Sequence, residues 1–241
     1  MKVYSGSDVG LIRKENQDAF FVQQLPNDEL FAVVCDGMGG EKKGDVASQL
    51  AVKDIWEVFS NLYKNNKSSE KIKNSITTAI SHANNKIFQQ ASEDETCSGM
   101  GTTVVAALIN DNIAHIAYVG DSRAYFLSNG SIAQLTKDHS LVQQMCDCGE
   151  ITKDEMRNHP RKNVITRALG AHESVDIDYI EHPFGEKDKL LICTDGLSNQ
   201  LTDEEILKLS ENDDTDTSVK LISAAKASGG KDNITVVIIE K

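Results

Sequence analysis

Three stretches of this chain end alike: Phe31-Ala-Val-Val-Cys-Asp36-Gly37, Ile116-Ala-Tyr-Val-Gly-Asp121-Ser122 and Leu190-Leu-Ile-Cys-Thr-Asp195-Gly196. In each, an apolar run of strand length delivers an aspartate. Two further runs begin just after one, in Asn16-Gln17-Asp18-Ala19-Phe20 and Lys231-Asp232-Asn233-Ile234-Thr235. One Asp-Gly alone is most simply a tight turn, and Asp232-Asn233 alone reads as a strand entry. Five aspartates at strand ends are different, because carboxylates that converge repel one another and demand cations. A short anionic side chain at a sheet edge, followed by a glycine whose carbonyl is open to close approach, is a rigid oxygen ligand. Hard divalent cations such as Mg2+ and Mn2+ favour such all-oxygen sets. The six histidines show no HExxH spacing and the five cysteines no paired CxxC units, so no softer metal competes.

Two cations sharing a bridging water would acidify it, align it with a phosphorus atom and neutralise the leaving oxygen. Phosphate-monoester hydrolysis needs accelerations up to ~10²¹-fold, which makes a metal pair a sensible device for it. The substrate's own oxygens then want a further cation. Arg13, a few residues before Asp18, could grip a phosphate with both arms of its guanidinium.

The elements that must position these groups follow from periodicity. Alternating, β-branched or aromatic runs predict strands near 2–8, 19–24 and 30–35, the last two joined by Pro26-Asn27-Asp28. Helical spacing over 45–62 and again from Ile72 to Ile87 predicts two long amphipathic helices, joined through Lys64-Asn65-Asn66-Lys67 as an antiparallel hairpin with Trp56 in its core. Strands are expected at 102–109, 113–119, 124–127 and 131–135, with turns at Asn110-Asp111-Asn112 and Ser128-Asn129-Gly130. A polar excursion over 138–170 carries helical pieces interrupted at His159-Pro160. Strands resume at 175–181 and 189–193. A capping box at Thr202 and Glu205 opens one helix, a second ends near Gly229, and 233–240 is a final strand. Paired helices between blocks of strands indicate an α+β fold, with helices covering sheets.

At 241 residues, without a Pro/Gly/Ser-rich divider, the chain is expected to be one domain. Its 39% hydrophobic and 26% charged residues suit a globular protein. No apolar run approaches the ~20 residues of a membrane span, and the first residues lack the pattern of a secretory signal, so a cytoplasmic protein with reduced thiols is expected. A net charge of −12 without a basic stripe argues against nucleic acid as a partner.

Taken in order along the chain, Arg13 with Asn16-Gln17-Asp18, Val34-Cys35-Asp36-Gly37-Met38-Gly39-Gly40, Gly101-Thr102-Thr103, Val119-Gly120-Asp121-Ser122-Arg123-Ala124-Tyr125, Thr136-Lys137-Asp138-His139-Ser140, Thr194-Asp195-Gly196-Leu197 and Asp232-Asn233-Ile234-Thr235 resemble the protein phosphatase 2C (PPM-type) family. The compact length resembles its bacterial branch, which opposes receptor-like serine/threonine kinases. The resemblance implies an αββα sandwich of two antiparallel sheets flanked by helix pairs, spanning 1–241, with a flap over about 141–169 where substrate choice varies. It implies a metal-dependent serine/threonine phosphatase acting on phosphoproteins, working as a monomer with two Mn2+ or Mg2+ ions and a third, weaker ion. By motif, Asp36 would bridge both core ions, the Gly37 carbonyl would bind one, and Asp195 and Asp232 would hold the other. Asp18 would act through metal-bound water, Asp121 would share the third ion with Asp195, and Arg13 would take the phosphate.

One departure matters. Where many eukaryotic relatives place a histidine after Asp-Gly as general acid, this chain has Met38, whose thioether has no proton to donate. Water is the expected proton source, with His139 and His159 as less favoured alternatives. The glycines from Gly37 to Gly44 and the Gly229-Gly230-Lys231 run fit neither nucleotide-loop pattern and read as turns. Cys146 and Cys148, in the flap, offer a redox switch only as a minor alternative, since nothing nearby obviously lowers a thiol pKa, and Cys35 and Cys193 are expected to be inert core residues. Two competing functions are a pseudophosphatase that binds phosphoproteins without turnover and a phosphatase dedicated to one regulatory phosphoprotein. A calcium-binding role lacks an EF-hand loop.

Overall fold

In a computed structural model that describes residues 1–39, 43–63, 68–211 and 216–241, the alternating runs become strands and the 3.6-residue repeats become helices. The order is β1 (Lys2–Asp8), β2 (Asp18–Leu25), β3 (Glu29–Met38), α1 (Gly44–Tyr63), α2 (Ser69–Glu93), β4 (Gly101–Thr102), β5 (Val104–Asn110), β6 (Ile113–Val119), β7 (Arg123–Ser128) and β8 (Ser131–Gln134). It continues with α3 (Leu141–Asp147), α4 (Lys153–Asn158), β9 (Asp178–Pro183), β10 (Lys189–Cys193), α5 (Asp195–Ser198), α6 (Asp203–Ser210), α7 (Thr217–Ala227) and β11 (Ile234–Glu240). One sheet runs β1-β11-β10-β7-β8 and the other β2-β3-β5-β6-β9, with β4 paired to β3. Every pairing is antiparallel.

The period of two along a strand explains how one run feeds two cores. Leu30, Ala32 and Val34 of β3 point into the layer between the sheets, with Leu190, Ile192, Val237 and Ile239. Phe31, Val33 and Cys35 point the other way, against Ile55 and Phe59 of α1 and Ile76 and Ile80 of α2. Leu191, Val236 and Ile238 pack outward onto Ile206 and Leu221 of α6 and α7. Three buried layers separate helix pair, sheet, sheet and helix pair, an αββα sandwich. Trp56 is half-buried, its ring 4.9 Å from Phe21 and 5.7 Å from Phe31.

Several boundaries differ from those expected of the sequence. The strand expected over 175–181 starts at Asp178, because Val175 and Ile177 pack against the helix-side core and not in a ladder. The run expected over 102–109 breaks at Thr103, whose N–H and hydroxyl serve the backbone of Asp36. Helix α4 stops at Asn158, ahead of Pro160. The expected 64–67 connection and Gly40 lie outside the described residues. The turns at Asn27-Asp28, Asp111-Asn112 and Asn129-Gly130 all take positive φ, the mirror-image turns that suit twisted strands.

Candidate metal and phosphate site

Five strand ends meet at one end of the sandwich. The β2–β3 register sets Asp18 opposite Asp36, two like charges directly across a ladder. Asp18 is nearly buried, and its Oδ2 accepts hydrogen bonds from Thr194 Oγ1 at 2.9 Å and Thr235 Oγ1 at 2.7 Å. These donors come from the opposite sheet, so Asp18 ties the two sheets together. Its Oδ1 is buried without a hydrogen-bond partner. Thr235→Val should cost about 1–3 kcal/mol of folding stability by leaving a buried acceptor short of a donor, read as a lower urea midpoint; an unchanged midpoint would show that the tie contributes nothing to stability.

Asp36 is held from below by Thr103, whose Oγ1 accepts from its N–H at 3.0 Å while Thr103 N and Thr102 Oγ1 both donate to its carbonyl at 2.9 Å. Gly37 must lack a side chain, since a Cβ there would stand 2.0 Å from the Gly44 carbonyl oxygen. Gly196 is tighter still, 1.8 Å from the Asn233 carbonyl oxygen, which lets α5 begin directly beside the entry to β11. Asp195 opens that short helix and accepts from Asn199 Nδ2 at 2.9 Å. Asp121 follows β6 after Gly120, whose φ of +110° few other residues adopt. Asp232 precedes β11 and accepts from Arg13 at 2.8 Å, so a proposed phosphate gripper and a proposed ligand form an ion pair here.

Asn233 and the two threonines are structural partners to which spacing along the chain assigns no task, although each lies within a quoted motif. Asn233 Oδ1 accepts from Gln17 N at 2.8 Å and its Nδ2 donates to Val9 and Glu15 carbonyls at 3.0 and 2.9 Å, fixing the loop that carries Arg13. Their one sequence signal is position: Thr194 and Asn233 adjoin strand-end aspartates and Thr235 lies three residues after one.

The electrostatics follow from crowding. Burial, then the neighbouring Asp18 and Asp195 charges, pushes the Asp36 carboxyl well above the ordinary 3.8. Burial pushes Asp18 up to about 7 against the pull of its threonine donors. Asp121 rises to about 8 by burial and then the Asp195 charge. Burial and then Asp232 raise Asp195 to about 6, opposed by Asp36, Arg123 and Arg13. Arg123 is committed elsewhere: its Nε and Nη2 clamp Asp138 at 3.0 and 2.7 Å, and its Nη1 donates to Tyr125 Oη at 2.8 Å. By contrast Asp8, outside the cluster, is held low chiefly by its hydrogen bond from Lys226.

This donor set fits divalent cations. The described side chains do not close into a ready-made cage of three His, Cys, Asp or Glu ligands. The fit rests on an orphaned carboxylate oxygen, four mutually repelling carboxyls and an all-oxygen chemistry with no histidine or thiolate among it.

Beside the aspartates lies a cleft of about 820 Å³, lined by Asp121 and Asp195 and by residues of α3 and α4 including Val142, Gln143, Lys153 and Arg157. His139 does not face a reacting group as a free acid. Its Nδ1 accepts from Gly120 N at 3.0 Å, Arg167 stands 3.2 Å from its Nε2, and burial followed by that cation lowers its pKa. His159 Nδ1 accepts from Arg161 N at 3.2 Å. Cys35 and Cys193 are buried, the latter thiol pushed up to about 12 by burial, whereas Cys146 is half-buried and Cys148 exposed at the end of α3.

Residues 13–226 match the model of the family described as protein phosphatase 2C. A serine/threonine phosphatase named stp from Listeria monocytogenes is 41% identical, the match covering 98% of this chain and 94% of that protein. Among solved structures, serine/threonine phosphatase Stp1 from Staphylococcus aureus superposes with a TM-score of 0.92 at 33% identity, covering 100% of this chain and 95% of that one. The catalytic domain of the serine/threonine phosphatase PstP in complex with two manganese ions does so with a TM-score of 0.83 at 32% identity, covering 98% and 96%.

Proposed function

This chain belongs to the protein phosphatase 2C family, and from that premise we propose that it hydrolyses phosphoserine and phosphothreonine in proteins at the aspartate cluster, reversing a serine/threonine kinase. The observation that carries the reading is the convergence of Asp18, Asp36, Asp121, Asp195 and Asp232, five carboxylates whose crowding in the ionised state calls for cations, beside Arg13. The chemistry is metal-dependent, with Mn2+ or Mg2+ as the ions. Asp36 would bridge two of them, the Gly37 carbonyl would complete one, and Asp195 and Asp232 would hold the other. Asp18 would contribute through an intervening water, consistent with its orphaned oxygen. Asp121 and Asp195 would hold a third, weaker ion. Bound cations supply an activated water for attack on phosphorus and offset the charge on the leaving oxygen.

The chain's own groups orient the substrate. Arg13 exchanges Asp232 for phosphate oxygens, its bidentate geometry suiting either partner. Asn199 and Thr103 hold Asp195 and Asp36 in place. Met38 has no proton to give, and neither His139 nor His159 lines the cleft beside the aspartates, so water is the favoured proton source for the leaving oxygen. We assign 1–241 to a single domain acting as a monomer, with 141–169 as its flap. Among the described residues no helix is long and apolar enough to cross a membrane.

The test is hydrolysis of para-nitrophenyl phosphate and a phosphothreonine peptide after chelation, with Mn2+ or Mg2+ titrated back. Activity restored by metal is expected. Folded protein that binds metal yet turns over neither compound would favour the pseudophosphatase or the single-target enzyme.

A further inference from the structure

Leu11 and Ile12 are the most exposed of the large apolar side chains among the described residues, at 60% and 69%, and they are adjacent. Single exposed hydrophobes need no explanation. This pair differs in being held out by a stiff loop next to Arg13. Leu11 N donates to Gly230 O at 2.7 Å, Gly10 N to Asp8 Oδ1 at 2.8 Å, and Asn233 binds the carbonyls of Val9 and Glu15 on either side. Gly10 sits at φ +78°, where a Cβ would meet the Asp232 carbonyl oxygen at 2.2 Å. The Leu11 side chain rests on Gly230, and residues 11–15 are all exposed. The loop therefore cannot fold its two apolar side chains under itself while those bonds stand.

Resting on the phosphatase reading, we propose that Leu11 and Ile12 form an apolar lip that receives a bulky hydrophobic side chain of the substrate polypeptide close to the phosphorylated residue. The occupant follows from continuity with the phosphate-binding position. Ile12 precedes Arg13 directly, one Cα step of about 3.8 Å. An extended substrate advances about 3.3 Å per residue, so a side chain within about three positions of the phosphoresidue reaches the lip. The cleft on the Asp121 side is lined chiefly by charged and polar groups, among them Lys137, Lys153, Arg157 and Asp203. The two flanks of a bound peptide thus meet different chemistry, and the apolar preference belongs to the Arg13 side.

The experiment compares wild type with the double variant Leu11→Ser/Ile12→Ser on three substrates in Mn2+: para-nitrophenyl phosphate and two phosphothreonine peptides differing only in leucine or serine at positions flanking the phosphoresidue. Wild type should favour the leucine peptide by about five- to tenfold in kcat/KM, the scale of partly burying one such side chain. The variant should lose that preference while hydrolysing para-nitrophenyl phosphate with unchanged kcat and KM. A wild type indifferent to the flanking residue, or a variant that keeps the preference, overturns the lip. Concentration-dependent self-association lost in the variant, with peptide preference intact, would assign the pair to a second copy and also overturn it. Failure of wild type on para-nitrophenyl phosphate would instead sink the phosphatase reading beneath it.

Discussion

Asp195→Asn is expected to lower kcat/KM on para-nitrophenyl phosphate in Mn2+ by about 10²–10³-fold, the scale of removing one preorganised charge-stabilising group. That exceeds the about 10–100-fold typical of residues that merely orient a ligand, and so separates the two roles. The fold should survive. The amide keeps an oxygen to accept from Asn199 Nδ2, and removing one charge from a site where Asp232 and Asp195 repel each other relieves strain. Circular dichroism and a urea midpoint equal to or above that of wild type would accompany the loss. Near-normal turnover in a folded variant would refute Asp195 as a ligand.

The second large effect links metal, pH and stability. Asp195, Asp18 and Asp121 are raised from 3.8 to about 6, 7 and 8, chiefly by burial. A carboxyl whose folded value lies above its unfolded one favours the native state fully below the unfolded value, and that contribution is lost as pH rises through the folded value. Protein in chelator should therefore lose stability between about pH 4 and 8 on account of these groups. Cations bind the deprotonated forms, so their binding releases protons and strengthens over the same window. At one fixed Mn2+ concentration, about a hundredfold above Kd at pH 8, the ion should add about 2.7 kcal/mol there, or about 5–10 °C in Tm for a chain of this size, and clearly less at pH 6, where Kd is weaker. Calorimetry at the two pH values checks it. A Tm shift that is absent, or equal at both, would contradict carboxylate-held cations.

Both effects involve groups whose positions on strands are legible in the local sequence. Continuous apolar, β-branched or aromatic stretches mark the runs ending in Asp36, Asp121 and Asp195 and the runs beginning after Asp18 and Asp232, and the helical repeat marks the paired helices. The β2–β3 turn at Asn27-Asp28 is equally local. Helix ends with a capping box, such as Thr202 with Glu205, are local as well. Signals of this kind work because strand period, helix period and turn chemistry depend on residues a few positions apart.

What lies beyond the sequence is everything that depends on one sheet stacking on the other. That Thr194 and Thr235 donate to Asp18, that Asn233 fastens the loop of residues 9–17, and that Arg13 pairs with Asp232 all join segments from opposite ends of the chain. So too with Leu11 and Ile12, whose residue types suit a core; Gly10, Gly230 and Asn233 together hold them out in water. The sequence by itself determined the strands, the helices and the oxygen-ligand character of their ends. The tertiary structure alone decided which ends share a site and how buried each carboxyl is, because desolvation and charge repulsion act through space and depend on packing that no local spacing encodes.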